Sequence, residues 1–402
     1  MAIITMFSEG YCQEDEVAKN VAGAMSLAIV EDKGLIVEAS EKYGVPEEKF
    51  YRALFGKPSV FNVFTKDKER CVSCYKAVLA ERLQEEDLLL KGFGGFLVPK
   101  TITHVLKVCL TADKAYRIEV ARKAHHLDPR QLAKLIAQEE EVRSRWAEYL
   151  LLRGPWDSSL YDILIPMDKT TPEDAAELIQ NRARRSVTLP TVESLQAARD
   201  FALAAKVEAA LAMHGYILRT EARKGRVVVR VERNVVRPER IQEELAGIVR
   251  GVVGEVEVEV KIGTDLFQTN VYRPFDFEQP SKVLVVDDEQ DFAATLSERL
   301  KMREMGAAVV SSGEEALELI EEDEPEVVIL DLKMPGIDGE DVLRMIRKGH
   351  PRIQVIILSG QGDRDTNASC LRLGAFACLQ KPVDFKELTE TIRRAYVKLE
   401  DG

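Results

Sequence analysis

Four short apolar runs in the last third of the chain each stop on a polar residue, and this regularity limits the possible folds more than any other feature. The run SKVLVVDDE at 281–289 ends on Asp287 and Asp288, and EVVILD ends on Asp331. QVIILS ends on Ser359, and ACLQKP ends on Lys381 and Pro382. Each run is β-branched, four to six residues long and bounded by turn formers, the pattern of a parallel strand buried on both faces. Helix-length amphipathic segments separate the runs, so the pattern is a repeated βα unit. In an open sheet of that kind the C-terminal strand ends share one edge, where ligands bind. Three carboxylates, a hydroxyl and an ammonium are therefore expected on a single rim.

Clustered carboxylates repel one another unless a cation sits among them, and an all-oxygen set without His or Cys suits Mg²⁺. A carboxylate can attack a phosphoryl group to give an aspartyl phosphate. An ammonium and a hydroxyl nearby would hold the phosphoryl oxygens. On these motifs, in this order, residues 281–402 resemble the receiver domain of two-component response regulators, with a flavodoxin-like (βα)5 fold around a parallel sheet. The resemblance implies Asp331 as phosphoacceptor, with Lys381 and Ser359 holding the phosphoryl group. It also implies a Mg²⁺ site made by Asp287, Asp288, Asp331 and the Lys333 carbonyl, and a cis Lys381–Pro382 bond. The implied partner is a sensor histidine kinase or phosphotransfer protein. One departure stands out: receivers usually carry an aromatic switch residue three positions before the lysine, and here that position is Cys378.

At 402 residues the chain has room for two or three domains, and its 46% apolar and 31% charged content is that of a soluble globular protein. The formal charge of −12 is uneven: residues 281–402 hold 25 acidic and 16 basic residues, a net of −9. No basic domain or arm emerges, which argues against bulk nucleic-acid affinity. Glu9, Glu14 and Asp15 interrupt the N-terminal apolar stretch, so no signal peptide is readable, and no run reaches the length of a membrane span. Six cysteines without a dense framework fit a reducing cytoplasm.

The chain opens with the apolar stretch AIITMF at 2–7, a loop and a helical pattern, the layout in which a phosphate-binding loop sits. Strand and helix patterns then alternate to about residue 185. LLLKGFGGFLVPKTITHVLKV, YRIEVARKA, EEEVRSRW and SSLYDILIPMD make residues 1–185 similar to the cytidylate kinase-like family of P-loop nucleoside monophosphate kinases. That resemblance implies a nucleotide site, but the loop departs from the family pattern where phosphates would lie. It reads Tyr11-Cys12-Gln13-Glu14-Asp15-Glu16, with no glycine after Gly10 and no lysine before Lys19. Three acids would face a polyphosphate, each close pair costing roughly 4 kcal/mol at an effective dielectric near 20. The expectation is a lost nucleotide site. Arg117, Arg122, Arg143 and Arg145 are then expected to pair with neighbouring acids such as Glu139, Glu140 and Glu141.

Other candidates are weaker. Cys71 and Cys74 form a CxxC with no second pair at zinc spacing, and one helical turn explains them. Gly92, Gly94 and Gly95 lack dinucleotide-loop spacing and suggest a tight turn. His125 and His126 adjoin a helix end with no partner at a readable spacing.

Residues 186–191 read as a linker, and 192–263 as a compact αββαβ unit that resembles a BON domain. Its 11 acids and 12 bases give no membrane patch, while Arg226, Arg230 and Arg233 could form a modest anion or partner surface. Residues 264–280 tether it to the receiver. The fold class expected is α/β multidomain: a P-loop kinase-like domain, a small αββαβ domain and the receiver. The leading functional expectation is a cytoplasmic phosphorelay response regulator that acts through protein or ligand contacts of its N-terminal domains rather than DNA, with another signalling protein as a further partner. The alternatives are a receiver-gated nucleoside monophosphate kinase and a nucleotide-sensing pseudokinase.

Overall fold

The computed structural model describes residues 3–400 apart from 86, 126, 186–187, 233–237, 255, 264–279, 304 and 361–368. His126, Arg233 and nearly all of the 264–280 tether lie outside the described residues. The chain divides into two compact units, residues 1–56 with 68–273, and residues 57–67 with 274–402. Among the described residues no helix is long and apolar enough to cross a membrane.

The first unit begins β1 (Ile3–Ser8), α1 (Glu14–Met25), β2 (Ala28–Glu31), α2 (Asp32–Tyr43) and α3 (Glu47–Phe55). After α4 (Asn62–Thr65), which belongs to the second unit, it resumes with α5 (Asp67–Glu85), β3 (Leu88–Lys91) and β4 (Val105–Thr111). It continues through α6 (Lys114–Ala124), α7 (Pro129–Leu151), β5 (Ile163–Pro166) and α8 (Pro172–Ala183). The five strands lie in the order β2-β3-β1-β4-β5, all parallel. Alternate side chains feed two cores. Ile3, Leu88, Leu90 and Val105 join residues of α2, α3 and α5 on one face, while Ile4, Met6, Leu89 and Val108 join α1 and α8 on the other. Local signals set the helix starts: Asp128 caps α7 in a capping box with Gln131, and Thr171 caps α8 ahead of Pro172.

The small sheet follows α9 (Val192–Met213), with β6 (Arg219–Arg223), β7 (Arg226–Val231), α10 (Pro238–Val253) and β8 (Val258–Ile262). β6 and β7 are antiparallel, joined by a two-residue turn in which Lys224 and Gly225 both have positive φ, and β8 pairs parallel with β7. Helix α9 serves two cores. Ala198, Phe201, Ala202, Ala205 and Ala209 enter the core above the five-stranded sheet. Val207 and Leu211 enter the core of the small sheet with Val227, Val229, Leu245 and Val249. Lys76 reaches Glu208 at 2.6 Å, and Glu208 also accepts from the Thr220 amide. Ala205 is fully buried in the core above the five-stranded sheet. Ala205→Leu should therefore cost about 1–3 kcal/mol by overpacking, read as a drop in the first unit's denaturation midpoint with a normal circular dichroism spectrum.

The second unit runs β9 (Val283–Val286), α11 (Gln290–Lys301), β10 (Ala307–Val310), α12 (Gly313–Glu322), β11 (Val327–Asp331), α13 (Gly339–Gly349), β12 (Gln354–Ser359), β13 (Ala377–Gln380) and α14 (Phe385–Glu400). Its parallel sheet has the order β10-β9-β11-β12-β13, a flavodoxin-like arrangement with apolar cores on both faces. The apolar runs form the strands because both faces of the sheet are covered, which suits continuous Val and Ile. Segment 57–67 belongs to this unit. Phe61 is fully buried in the core that contains Leu284, Ile320, Ile346 and Ile353. Lys57 pairs with Glu322, the Ser59 hydroxyl donates to Asp323, and Lys282 lies 5.7 Å over the Phe61 ring. These partners flank the N-terminal ends of the strands.

Candidate functional site

Because β9, β11, β12 and β13 run parallel, their last residues meet at one rim. Asp287 follows β9, Asp331 ends β11, Ser359 ends β12 and Lys381 follows β13. Carboxylate oxygens of Asp287, Asp288 and Asp331 all lie within 4.8 Å of one another. Asp287 and Asp331 are buried, whereas Asp288 is exposed. The Lys381 Nζ donates to Asp287 Oδ2 at 2.8 Å and to Asp331 Oδ2 at 3.1 Å. Burial pushes the Asp331 carboxyl above its ordinary pKa, and the Lys381 ammonium and the Lys333 amide oppose that rise. Burial alone would depress Lys381, but its hydrogen bonds to Asp287 and Asp331 outweigh it and leave the pKa raised. The Glu289 amide donates to Asp287 Oδ1 at 3.0 Å, fixing that carboxylate.

All five side chains singled out in the sequence are thus on one edge. Ser359 is fully buried there, with its hydroxyl donating to the Leu379 carbonyl at 3.5 Å. The Lys381–Pro382 bond is cis. At Gly339 a Cβ would lie 2.4 Å from the Asp331 carbonyl oxygen, so no side chain fits where α13 begins behind the acid. The donor set fits a hard divalent cation: three carboxylates, two of them buried, with a single ammonium among them.

The loop between β1 and α1 is a second concentration of charge, and here protein groups satisfy one another. Arg117, only 3% exposed, donates to the Gly10 carbonyl at 3.1 Å and pairs with Glu9 and Glu140. Arg143 donates to the Ser8 carbonyl at 3.0 Å and pairs with Glu139 at 3.2 Å. Arg122 and Arg145 have Glu119 and Glu141 within 4 Å. Tyr11 contacts Glu139 and His125, a partner for His125 that the sequence did not suggest. At Gly10 a Cβ would fall 2.4 Å from Glu139 Oε2, so a carboxylate lies hard against the loop. Glu14, Asp15 and Glu16 form the first turn of α1, where they suit the helix dipole but oppose an anion. Burial raises the pKa of Glu14. A cleft of about 210 Å³ beside the loop is lined by Glu14, Glu31, Asp32, Lys33, Lys91 and Arg143, among others.

Several of these residues were not legible in the sequence. Asp32 accepts from the Phe93 and Gly94 amides and the Tyr75 hydroxyl, and so shapes the KGFGGF turn. Gly92 has φ 127°, and a Cβ there would strike the Asp32 carboxylate. Glu9 bridges Arg117 and the Ala112 amide. Each acts across some forty residues or more, where local spacing carries no signal. Cys71 and Cys74 are fully buried on α5, as one helical turn predicts. In the small sheet, Arg226 pairs with Glu257 and Glu259, and Arg230 with Glu221.

With this geometry in place, the chain compares with known proteins as follows. Residues 283–393 match the model of the response regulator receiver domain family. The C-terminal part of this chain is a receiver domain. Residues 3–169 match the model of the cytidylate kinase-like family. The probable transcriptional regulator ycf27 of Guillardia theta is 42% identical over 118 residues, which cover 29% of this chain and 46% of that protein. The DNA-binding transcriptional regulator NtrC of Escherichia coli K12 is 34% identical over 113 residues, covering 28% and 24%. The crystal structure of a receiver domain protein from Clostridium thermocellum is 36% identical, with a TM-score of 0.29, covering 30% of this chain and 96% of that one. The chain therefore spans under half the length of these two curated relatives, and the matched stretch is a receiver domain's length.

Proposed function

We propose that the chain is a phosphorelay response regulator whose receiver domain takes a phosphoryl group on Asp331 from a histidine kinase or phosphotransfer partner. The observation that carries this reading is Lys381 bridging Asp287 and Asp331 beside Asp288. Asp287, Asp288, Asp331 and the Lys333 carbonyl would hold Mg²⁺, which supplies positive charge against the phosphoryl oxygens. An Asp331 carboxylate oxygen attacks phosphorus, forming a P–O bond as the P–N bond of a phosphohistidine breaks. The imidazole leaves with the bonding pair and is reprotonated. Lys381 then moves its hydrogen bonds from carboxylate to phosphoryl oxygen, and Ser359 gives up the Leu379 carbonyl to donate to the same group. The change in charge at the rim biases the receiver between two states.

The output is assigned to the N-terminal part of the chain rather than to DNA. Residues 1–185 are taken as a cytidylate kinase-like domain with a lost nucleotide site, 192–263 as a BON-like domain, 264–280 as a tether and 281–402 as the receiver. Supporting the lost site, carboxylates of Glu9, Glu139 and Glu140 already engage the arginines that border the loop. The order α9, antiparallel β6–β7, α10, β8 supports the BON-like reading. A cytoplasmic setting accords with six cysteines that are all free thiols. The second reading, a kinase or nucleotide sensor gated by the receiver, draws on the family match over 3–169.

Phosphoramidate or acetyl phosphate with Mg²⁺ should convert the full chain to a slower band on a phosphate-affinity gel. Asp331→Asn should remove that band altogether while leaving the fold intact. A phosphorylated band that persists in Asp331→Asn would place the acceptor elsewhere and end the proposal.

A further inference from the structure

Cys378 occupies β13 three residues before Lys381, and its thiol is in hydrogen-bond contact with the thiol of Cys370. Cys370 lies in the helical turn at 369–372 and is fully buried, and both residues belong to the same apolar cluster of the receiver. Of the six cysteines, Cys378 alone is partly exposed, and the other five are buried. The pair therefore combines one thiol that solvent species can reach with a second thiol already against it. Burial is the largest influence on the Cys370 thiol; Glu340 and Asp338 add to its effect and Arg344 opposes it. Burial raises both thiol pKa values, that of Cys378 to about 11, so the pair rests as two neutral thiols. A site of that kind is quiet at low oxidant and reacts slowly when oxidant rises.

We propose that Cys370 and Cys378 form a dithiol modification site that a hydroperoxide oxidises to an intramolecular disulfide. The Cys378 sulfur takes the terminal oxygen of the hydroperoxide, giving a sulfenic acid as the O–O bond breaks and water or an alcohol leaves. The Cys370 sulfur then attacks the Cys378 sulfur, forming the S–S bond and expelling water. Two thiols are oxidised by two electrons in all, and one peroxide is reduced. The disulfide would tie the 369–372 turn to β13. Backbone bonds link that strand to the rim: the Lys381 amide donates to the Ser359 carbonyl at 2.8 Å, and Cys378 faces Ile357 in register. The cross-link thus falls on the strand that presents Lys381, three residues before it.

The test treats the full-length protein with hydrogen peroxide, blocks remaining thiols with iodoacetamide under denaturing conditions, and maps tryptic peptides. Arg372 separates the two cysteines, so a disulfide joins two peptides that reduction splits. The expected result is a Cys370–Cys378 linked pair, absent after dithiothreitol, with Cys12, Cys71, Cys74 and Cys109 alkylated as in the untreated protein. Cys378→Ser should abolish the linked pair and leave Cys370 alkylatable, and Cys370→Ser should leave Cys378 as a sulfenic or sulfinic acid that dimedone or its mass reveals. Alkylation of both Cys370 and Cys378 after peroxide, or over-oxidised Cys378 beside a free Cys370 in the unsubstituted protein, would overturn the proposal.

Discussion

Phe61→Ala is expected to destabilise the second unit by about 3–5 kcal/mol, the range for truncating a buried phenylalanine. The ring is fully buried among Leu284, Ile320, Ile346 and Ile353, and removing it leaves a cavity that a parallel sheet with both faces packed cannot close. Polar contacts hold the chain just before the ring. The Ser59 hydroxyl reaches Asp323, which also pairs with Lys282 at 2.9 Å. Segment 57–67 should therefore stay in place and the cavity should persist. Urea denaturation of the full chain, followed by amide exchange of β9 and β11, would register the loss as a lower midpoint for those strands. Val63→Ala is the control: Val63 is 68% exposed on the same segment and should shift the midpoint by under about 0.5 kcal/mol. Equal effects from both substitutions would mean that Phe61 is not a core residue of this unit.

Arg117→Met should cost the first unit about 3 kcal/mol, because it leaves buried acceptors without their cation. Arg117 joins α6 to the β1–α1 loop through Glu9 and the Gly10 carbonyl, and to α7 through Glu140. Methionine keeps most of the volume and none of the donors. The effect stays near the lower end of the range for a broken buried pair because Glu140 is about one-third exposed and Glu9 keeps the Ala112 amide. Thermal denaturation of the full chain reads it. The same experiment bears on the nucleotide readings. A loop held by its own carboxylates gains nothing from a phosphate ligand, so millimolar ATP or CMP with Mg²⁺ should leave the unsubstituted protein's transition unmoved. Binding at 100 times the Kd would add about 2.7 kcal/mol, and a shift of that size would establish a working nucleotide site.

The receiver was largely legible because its chemistry sits at strand ends. VLVVDD, VVILD and QVIILS announce both the strand and the residue it delivers, and parallel packing brings those residues together. The β1 and α9 segments were legible for a local reason as well, the patterning of their apolar residues. What the sequence did not disclose depends on separation. Nothing about PSVFNVFT suggests that Phe61 packs beside Ile353, and an alanine-rich α9 reads as one amphipathic helix rather than a partition between two cores. The loop at Glu9–Glu14 shows a finer limit. Its acids argued against phosphate from charge alone, while the groups that meet the loop, Arg117 on Glu9 and the Gly10 carbonyl and Arg143 on the Ser8 carbonyl, come from helices more than a hundred residues on.

The segment bearing Phe61 also has a consequence for how the chain is made. At about 5–20 residues per second, Ile353 emerges from a ribosome roughly 15–60 s after Phe61 does. Until then an aromatic side chain destined for a core has no core to enter, because the chain before residue 57 and from residue 68 to 273 belongs to the other unit. Nascent chains stalled or truncated before β11 would carry this phenylalanine bare, an apolar hook for chaperones or for another nascent chain. Fusing a solubility partner at the C-terminus would not shield it, whereas supplying residues 281–402 as a separate polypeptide would give it a place to dock.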